Sequence, residues 1–260
     1  MKSRLKQPAV IAGTLMGILC ANCCMAALYS ANYQGRGDGS AGGIISNGSM
    51  DLSDRGTSLY GTINAGSRFF SDAIVIYIDC RAGGFNDNLS FFDYSTTHTR
   101  AISGSPNPDF RSRAHFAPGF GADFALVLSQ NYGSGLYQLA AGGNGSLGDR
   151  IPISFNENWQ FSVNWSDLGI TDPTAHYLTF SSSAVSGNGF RYMESYENIS
   201  GQSGYNYDVT WSEYNVFGIA PVPEPVNVAL AGFGGILIMG GLVFQWRRFT
   251  RRDRFISTTL

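Results

Sequence analysis

Ala73-Ile74-Val75-Ile76-Tyr77-Ile78-Asp79 is the stretch that decides the fold. Four of its seven residues are β-branched, and they favour extended backbone because their χ1 freedom is already restricted. Successive strand side chains point to opposite faces, so an apolar run without alternation predicts a strand buried on both sides. The segment is too short for a buried helix, and a polar, Gly-rich stretch, Arg81-Ala82-Gly83-Gly84, follows it.

Working outward, the same texture recurs between Ala27 and Ala220. Gly, Ser, Asn and aromatic residues are abundant, while Leu, Lys and Glu are scarce. Strands are expected at Leu59–Asn64, Phe124–Leu128, Leu136–Ala140, Trp159–Trp165, Tyr177–Ser181 and Val209–Gly218. The Asn131–Gly135 stretch reads as a hairpin turn, and Ser166-Asp167-Leu168-Gly169 as one helical turn capped by Ser166. Many short strands with few helices predict an all-β domain over 27–220, a single β-sandwich of jelly-roll type. About 190 residues suffice for one domain with a real core.

The two ends differ from this middle. Lys2, Arg4 and Lys6 precede the apolar Ala9–Leu19, and small residues follow to Ala26-Ala27. That order predicts a secretory signal peptide over 1–26, which implies a Sec translocon and signal peptidase as processing partners. Cys20, Cys23 and Cys24 fall there, but the residues preceding them do not suit a lipoprotein site. Near the other end, Val226–Trp246 is apolar except for Asn227 and Gln245. Its length matches the roughly 20 residues a helix needs to cross a bilayer. Phe244 and Trp246 suit an interface, and the basic 247–260 stretch follows.

Charge predicts the topology. The N-terminal stretch is basic, and the tail beyond Trp246 has five Arg against one Asp. Between Ala27 and Pro225 there are 9 Arg, no Lys and 18 Asp plus Glu, a net charge of −9. The positive-inside rule places both ends in the cytoplasm and the body outside. An acidic body argues against nucleic acid as a partner. Removing the signal peptide leaves Cys80 alone, so no internal disulfide and no Cys-based zinc site is expected.

Val222-Pro223-Glu224-Pro225, the apolar run and Arg247-Arg248 together resemble the PEP-CTERM sorting signal of Gram-negative bacteria. The resemblance implies recognition by an exosortase, a membrane protease-transpeptidase, with Val222, Pro223, Glu224, Pro225, Arg247 and Arg248 as the sorting motif. It implies transient anchoring in the inner membrane and a final place on the cell surface or in the extracellular matrix. In the body, Tyr77–Phe85, Arg100–Gly104, Phe116–Phe120, Ala122–Ala125, Trp165–Gly169 and Gly187–Arg191 resemble the ectodomains of exported PEP-CTERM proteins. Those are similar to DOMON-like and family 9 carbohydrate-binding β-sandwiches, which implies that fold and an extracellular polysaccharide as a possible ligand.

Catalytic patterns are missing from the sequence. No Gly-x-Ser-x-Gly elbow occurs, and His98, His115 and His176 have no metal-ligand spacing, which suggests scattered surface histidines. The expectation is therefore a structural or carbohydrate-binding protein and not an enzyme; the alternative is a secreted glycan-active enzyme on the same scaffold. Asp79, Asn86, Asp87 and Asp93 offer hard oxygen ligands of the kind calcium takes, without the EF-hand spacing. The competing reading is a turn in which Asn and Asp bond their own backbone. Tyr192, Tyr196, Tyr205 and Tyr207 are the candidate sugar-stacking residues, on what reads as a long loop; Phe91, Phe92 and Tyr94 are a second aromatic set.

Overall fold

The computed structural model describes residues 29–36, 43–66, 72–104, 113–139, 146–172, 176–185, 192, 194–201 and 208–218. The expected signal peptide (1–26), the Pro-Glu-Pro stalk (221–225), the 226–246 span and the 247–260 tail lie outside them, as do Tyr205 and Tyr207. Among the described residues no helix is long and apolar enough to cross a membrane.

The described body is mostly β. Along the chain run β1 (Ser30–Gln34), β2 (Ser49–Asp54), β3 (Ser58–Asn64), β4 (Ala73–Asp79), helix α1 (Thr97–Ser103), β5 (Arg113–His115), β6 (Phe124–Leu128), β7 (Ser134–Gln138), β8 (Ile151–Ile153), β9 (Gln160–Asn164), a 3-10 turn (Trp165–Leu168), β10 (Tyr177–Val185), β11 (Ile199–Gly201), β12 (Asp208–Trp211) and β13 (Asn215–Gly218). They form a four-stranded sheet β1-β2-β3-β9, a six-stranded sheet β13-β10-β4-β6-β7-β8 and a small sheet β11-β12-β5. The first two sheets are antiparallel throughout; β12 and β5 pair in parallel.

β4 lies in the middle of the larger sheet, and residues 73–78 are all buried, as its unbroken apolar run predicts. Ile74, Ile76 and Ile78 point into one core with Met50, Leu52, Phe161 and Val163 of the four-stranded sheet. Two sheets thus face each other across an apolar layer, a sandwich-like arrangement. Val75 and Tyr77 point the other way, into a second core with Ile102, Phe116, Val209 and Trp211. That core is roofed by α1, the loops before β6 and the small sheet.

The first and last strands close the body side by side. The Tyr33 hydroxyl donates to the Val216 carbonyl at 2.6 Å, and the Tyr29 and Phe217 rings meet edge to face at 5.1 Å. Register also links this corner to β4: Thr179 of β10 pairs with Asp79, and Tyr177 with Gly218. The end of β4 and the end of β13 therefore lie at the same end of the larger sheet, separated only by β10.

Several expectations change. Val209–Gly218 is two strands in different sheets, broken at 212–214. The 3-10 turn is preceded by Asn164 without a side-chain cap, so Ser166 does not cap it. Of the histidines expected at the surface, His98 is 6% exposed and the His176 side chain 7%.

Candidate functional site

The site is built where β4 ends. Asp79 closes the strand, and residues 81–84 then cross to meet 119–121, the turn leading into β6. The two segments lie in backbone contact: a Cβ on Gly121 would sit 2.0 Å from the Gly83 carbonyl oxygen, and one on Gly84 2.2 Å from that of Gly121. Gly84 also has φ +85°, which side-chain-bearing residues rarely adopt. A paired bridge, Phe85 with Ala122, fixes the crossing through two backbone hydrogen bonds of 3.0 and 2.8 Å.

Two carboxylates pin the loops. Asp123, 5% exposed, accepts from the backbone N–H groups of Cys80 (2.9 Å) and Arg81 (2.8 Å). Asp79 accepts from the Gly121 N–H at 3.0 Å. Between the loops opens a cleft of about 530 Å³, lined by Asp79, Arg81, Asn86 and the glycine backbone. Burial, with the nearby Asp123 carboxylate, holds the Asp79 carboxyl above its ordinary range, against hydrogen bonds from Gly121 and Thr179. The Arg81 guanidinium lies 4.4 Å from the centre of the Phe124 ring, where cation–π attraction orients it. Cys80, beside the cleft, donates to the Leu168 carbonyl at 3.5 Å, and burial pushes its thiol up to about 12, which leaves it unreactive near neutral pH.

The four residues proposed as calcium ligands divide between two settings. Asp79 and Asn86 share the cleft. Asp87 instead accepts from the Leu89 N–H at 2.9 Å, and Asp93 from the Ser95 N–H at 3.0 Å, each closing a turn on its own backbone. Among the described residues no three acidic, His or Cys side chains are grouped to hold a metal ion.

The tyrosine expectation changes for its two described members. Tyr192 is fully buried and Tyr196 is 2% exposed, so neither can stack on a ligand at the surface. The Tyr192 hydroxyl takes a hydrogen bond from the Asn88 amide (2.8 Å), meets the Tyr77 hydroxyl (3.1 Å) and donates to the Ile102 carbonyl (3.0 Å). It is a polar tie within the second core, and Tyr196 belongs to the first. Phe91 is buried too, whereas Phe92 is 58% exposed.

Sequence reasoning missed two buried acid clusters near β10. Glu194 gathers the N–H groups of Gly43 (2.8 Å), Ile45 (2.7 Å) and Ser46 (2.9 Å), which fixes the 43–48 turn. Glu197, fully buried, fills a gap in the sheet. Along the outer edge of β10, Phe180 pairs with Asn215 and the Ala184 N–H donates to the Glu194 carbonyl; between them Ser182, paired with Ile76 on the inner edge, has no outer strand partner among the described residues. Its N–H donates to the Glu197 carboxylate at 2.8 Å, and its carbonyl accepts from the Trp211 indole at 3.0 Å. Neither role has a local sequence signature, since Glu194 is held by backbone groups more than 100 residues away and most partners of Glu197 lie 15 or 18 residues away. Set against known protein families, curated proteins and solved structures, the chain matches none.

Proposed function

We propose that this is an exported protein of a Gram-negative cell envelope, sorted by an exosortase through its PEP-CTERM-like tail to the surface or extracellular matrix, where its body binds carbohydrate or serves structurally. The single observation that carries the sorting reading is the order Val222-Pro223-Glu224-Pro225, apolar 226–246, Arg247-Arg248. The signal peptide-like leader and the acidic body between basic ends support it.

For the body, the resemblance of its short motifs to DOMON-like and family 9 carbohydrate-binding sandwiches is consistent with its sandwich-like sheets. Binding is favoured over catalysis by the cleft: Asp79 is the one carboxylate among its lining residues, whereas glycoside hydrolysis generally uses a pair. Deleting 222–225 tests the sorting reading. The deleted chain is expected to remain membrane-bound at full length, while the intact chain is processed and released. Unchanged processing and release in the deletion would overturn it.

A further inference from the structure

We propose that the cleft between 79–86 and 119–121 is the ligand site of the body, and that it takes a neutral polyhydroxylated ligand, such as an exposed sugar of a polysaccharide, edge-on through its hydroxyls. This rests on the carbohydrate-binding reading and assigns it a place that neither the tail nor the tyrosine-rich stretch supplies.

Three observations converge on it. The volume of about 530 Å³ falls within the range of about 300–1,000 Å³ usual for small-ligand pockets. The lining offers acceptors and donors within one opening: the Asp79 carboxylate, the Asn86 amide, the Arg81 guanidinium and glycine backbone. Among the described residues, neither the Asn86 amide nor the Arg81 guanidinium, held over Phe124, is engaged in a side-chain hydrogen bond, so the N–H donors of both remain open to a ligand. Adjacent hydroxyls on a sugar ring are both donors and acceptors and match such a mixed set.

Shape and charge narrow the ligand further. Phe120 lines the cleft but is 3% exposed, so its ring offers no face for stacking, and recognition must come from hydroxyl edges. One carboxylate and one guanidinium give the lining no net charge. A polyanion would also meet the body's net charge of −9. The cleft is pre-organised: Gly121, Cys80 and Arg81 N–H groups are already held by Asp79 and Asp123, so little ordering cost remains on binding.

The test uses the full chain in a detergent without a sugar headgroup and saturation-transfer NMR on D-glucose, D-galactose, D-mannose, N-acetyl-D-glucosamine and their β-linked dimers. At least one sugar should receive saturation from the native chain. Asn86→Ala and Arg81→Ala, at exposed residues outside both cores, should weaken its binding at least five-fold, and Asp79→Ala at least ten-fold. Phe92→Ser, at an exposed aromatic outside the lining, should leave it unchanged. Binding that survives all three cleft variants, or that is lost in Phe92→Ser alone, would overturn the cleft as the site while leaving carbohydrate binding standing. No transfer to any sugar from a folded native chain, checked by near-ultraviolet circular dichroism, would overturn both.

Discussion

Glu197 sits where two demands oppose each other. Its carboxylate accepts from the Ser182 N–H and hydroxyl, the Ser195 hydroxyl and the Asn215 amide. Ser182 Oγ meanwhile accepts from the Tyr196 N–H, and Ser195 Oγ from the Trp211 indole and Glu197 N–H. The two hydroxyl protons are therefore directed at the carboxylate, and the site suits the anion. Full burial favours the neutral acid and is the larger effect, so the carboxyl is pushed up to about 7 from 4.5. A raised acid holds its proton more tightly when folded. Its contribution to stability is thus fully present below about 4.5 and is lost as pH rises to about 7. Melting temperature against pH should show this fall in the native chain and lose it in Glu197→Gln; parallel profiles would refute the assignment. Asp54 is the opposite case. Burial alone would raise it, but hydrogen bonds from His176 (2.6 Å), the Gly56 N–H and the Trp165 indole (3.1 Å) outweigh burial and lower it. Trp165 stacks on His176 at 4.4 Å, so the trio ties β2, the 3-10 turn and the approach to β10. Asp54→Ala leaves an indole N–H and an imidazole buried without their acceptor, and should cost about 3 kcal/mol in urea unfolding. None of these ties was legible beforehand, because a Glu or Asp in a polar stretch reads as solvated until its distant partners are known.

At the scale of elements, what was legible was what is apolar and local. β4 and β6 have the bounds their hydrophobic runs predict, and β3 and β9 come within a residue or so. β1 and β2 passed unnoticed because their outward positions carry Ser, Asp and Asn, which individually disfavour strands and here face solvent. β10 continues past Ser181 to Val185 through buried serines, whose small side chains fit where strands are covered on both faces. α1 has poor helix formers in Thr97-His98-Thr99, and it holds through a capping box between Thr96 and Thr99 and the burial of Ala101 and Ile102. The cleft was half legible: Asp79 and Asn86 were singled out, but the facing 119–121 segment was not, since proximity across 40 residues leaves no local mark. That facing pair carries its own prediction. Gly121→Ala places a methyl group 2.0 Å from the Gly83 carbonyl oxygen, so the loops must part. Sugar transfer should be lost and melting lowered by several degrees, whereas Gly56→Ala, at φ +82° with open space around it, should lower melting without affecting the cleft.

For the molecule as a whole, the corner where β1 meets β13 is where the chain leaves the described body. Seven residues lie between Gly218 and Val226, and these eight Cα–Cα steps can reach at most about 30 Å when fully stretched. If 226–246 spans the bilayer, the corner shared by Tyr29, Phe217 and Gly218 is the body's footing, and the mouth beside Asp79 opens only one strand away from it. For an anchored copy, a tether of that reach would limit how far the mouth can stand from the bilayer, and cutting it would remove that limit.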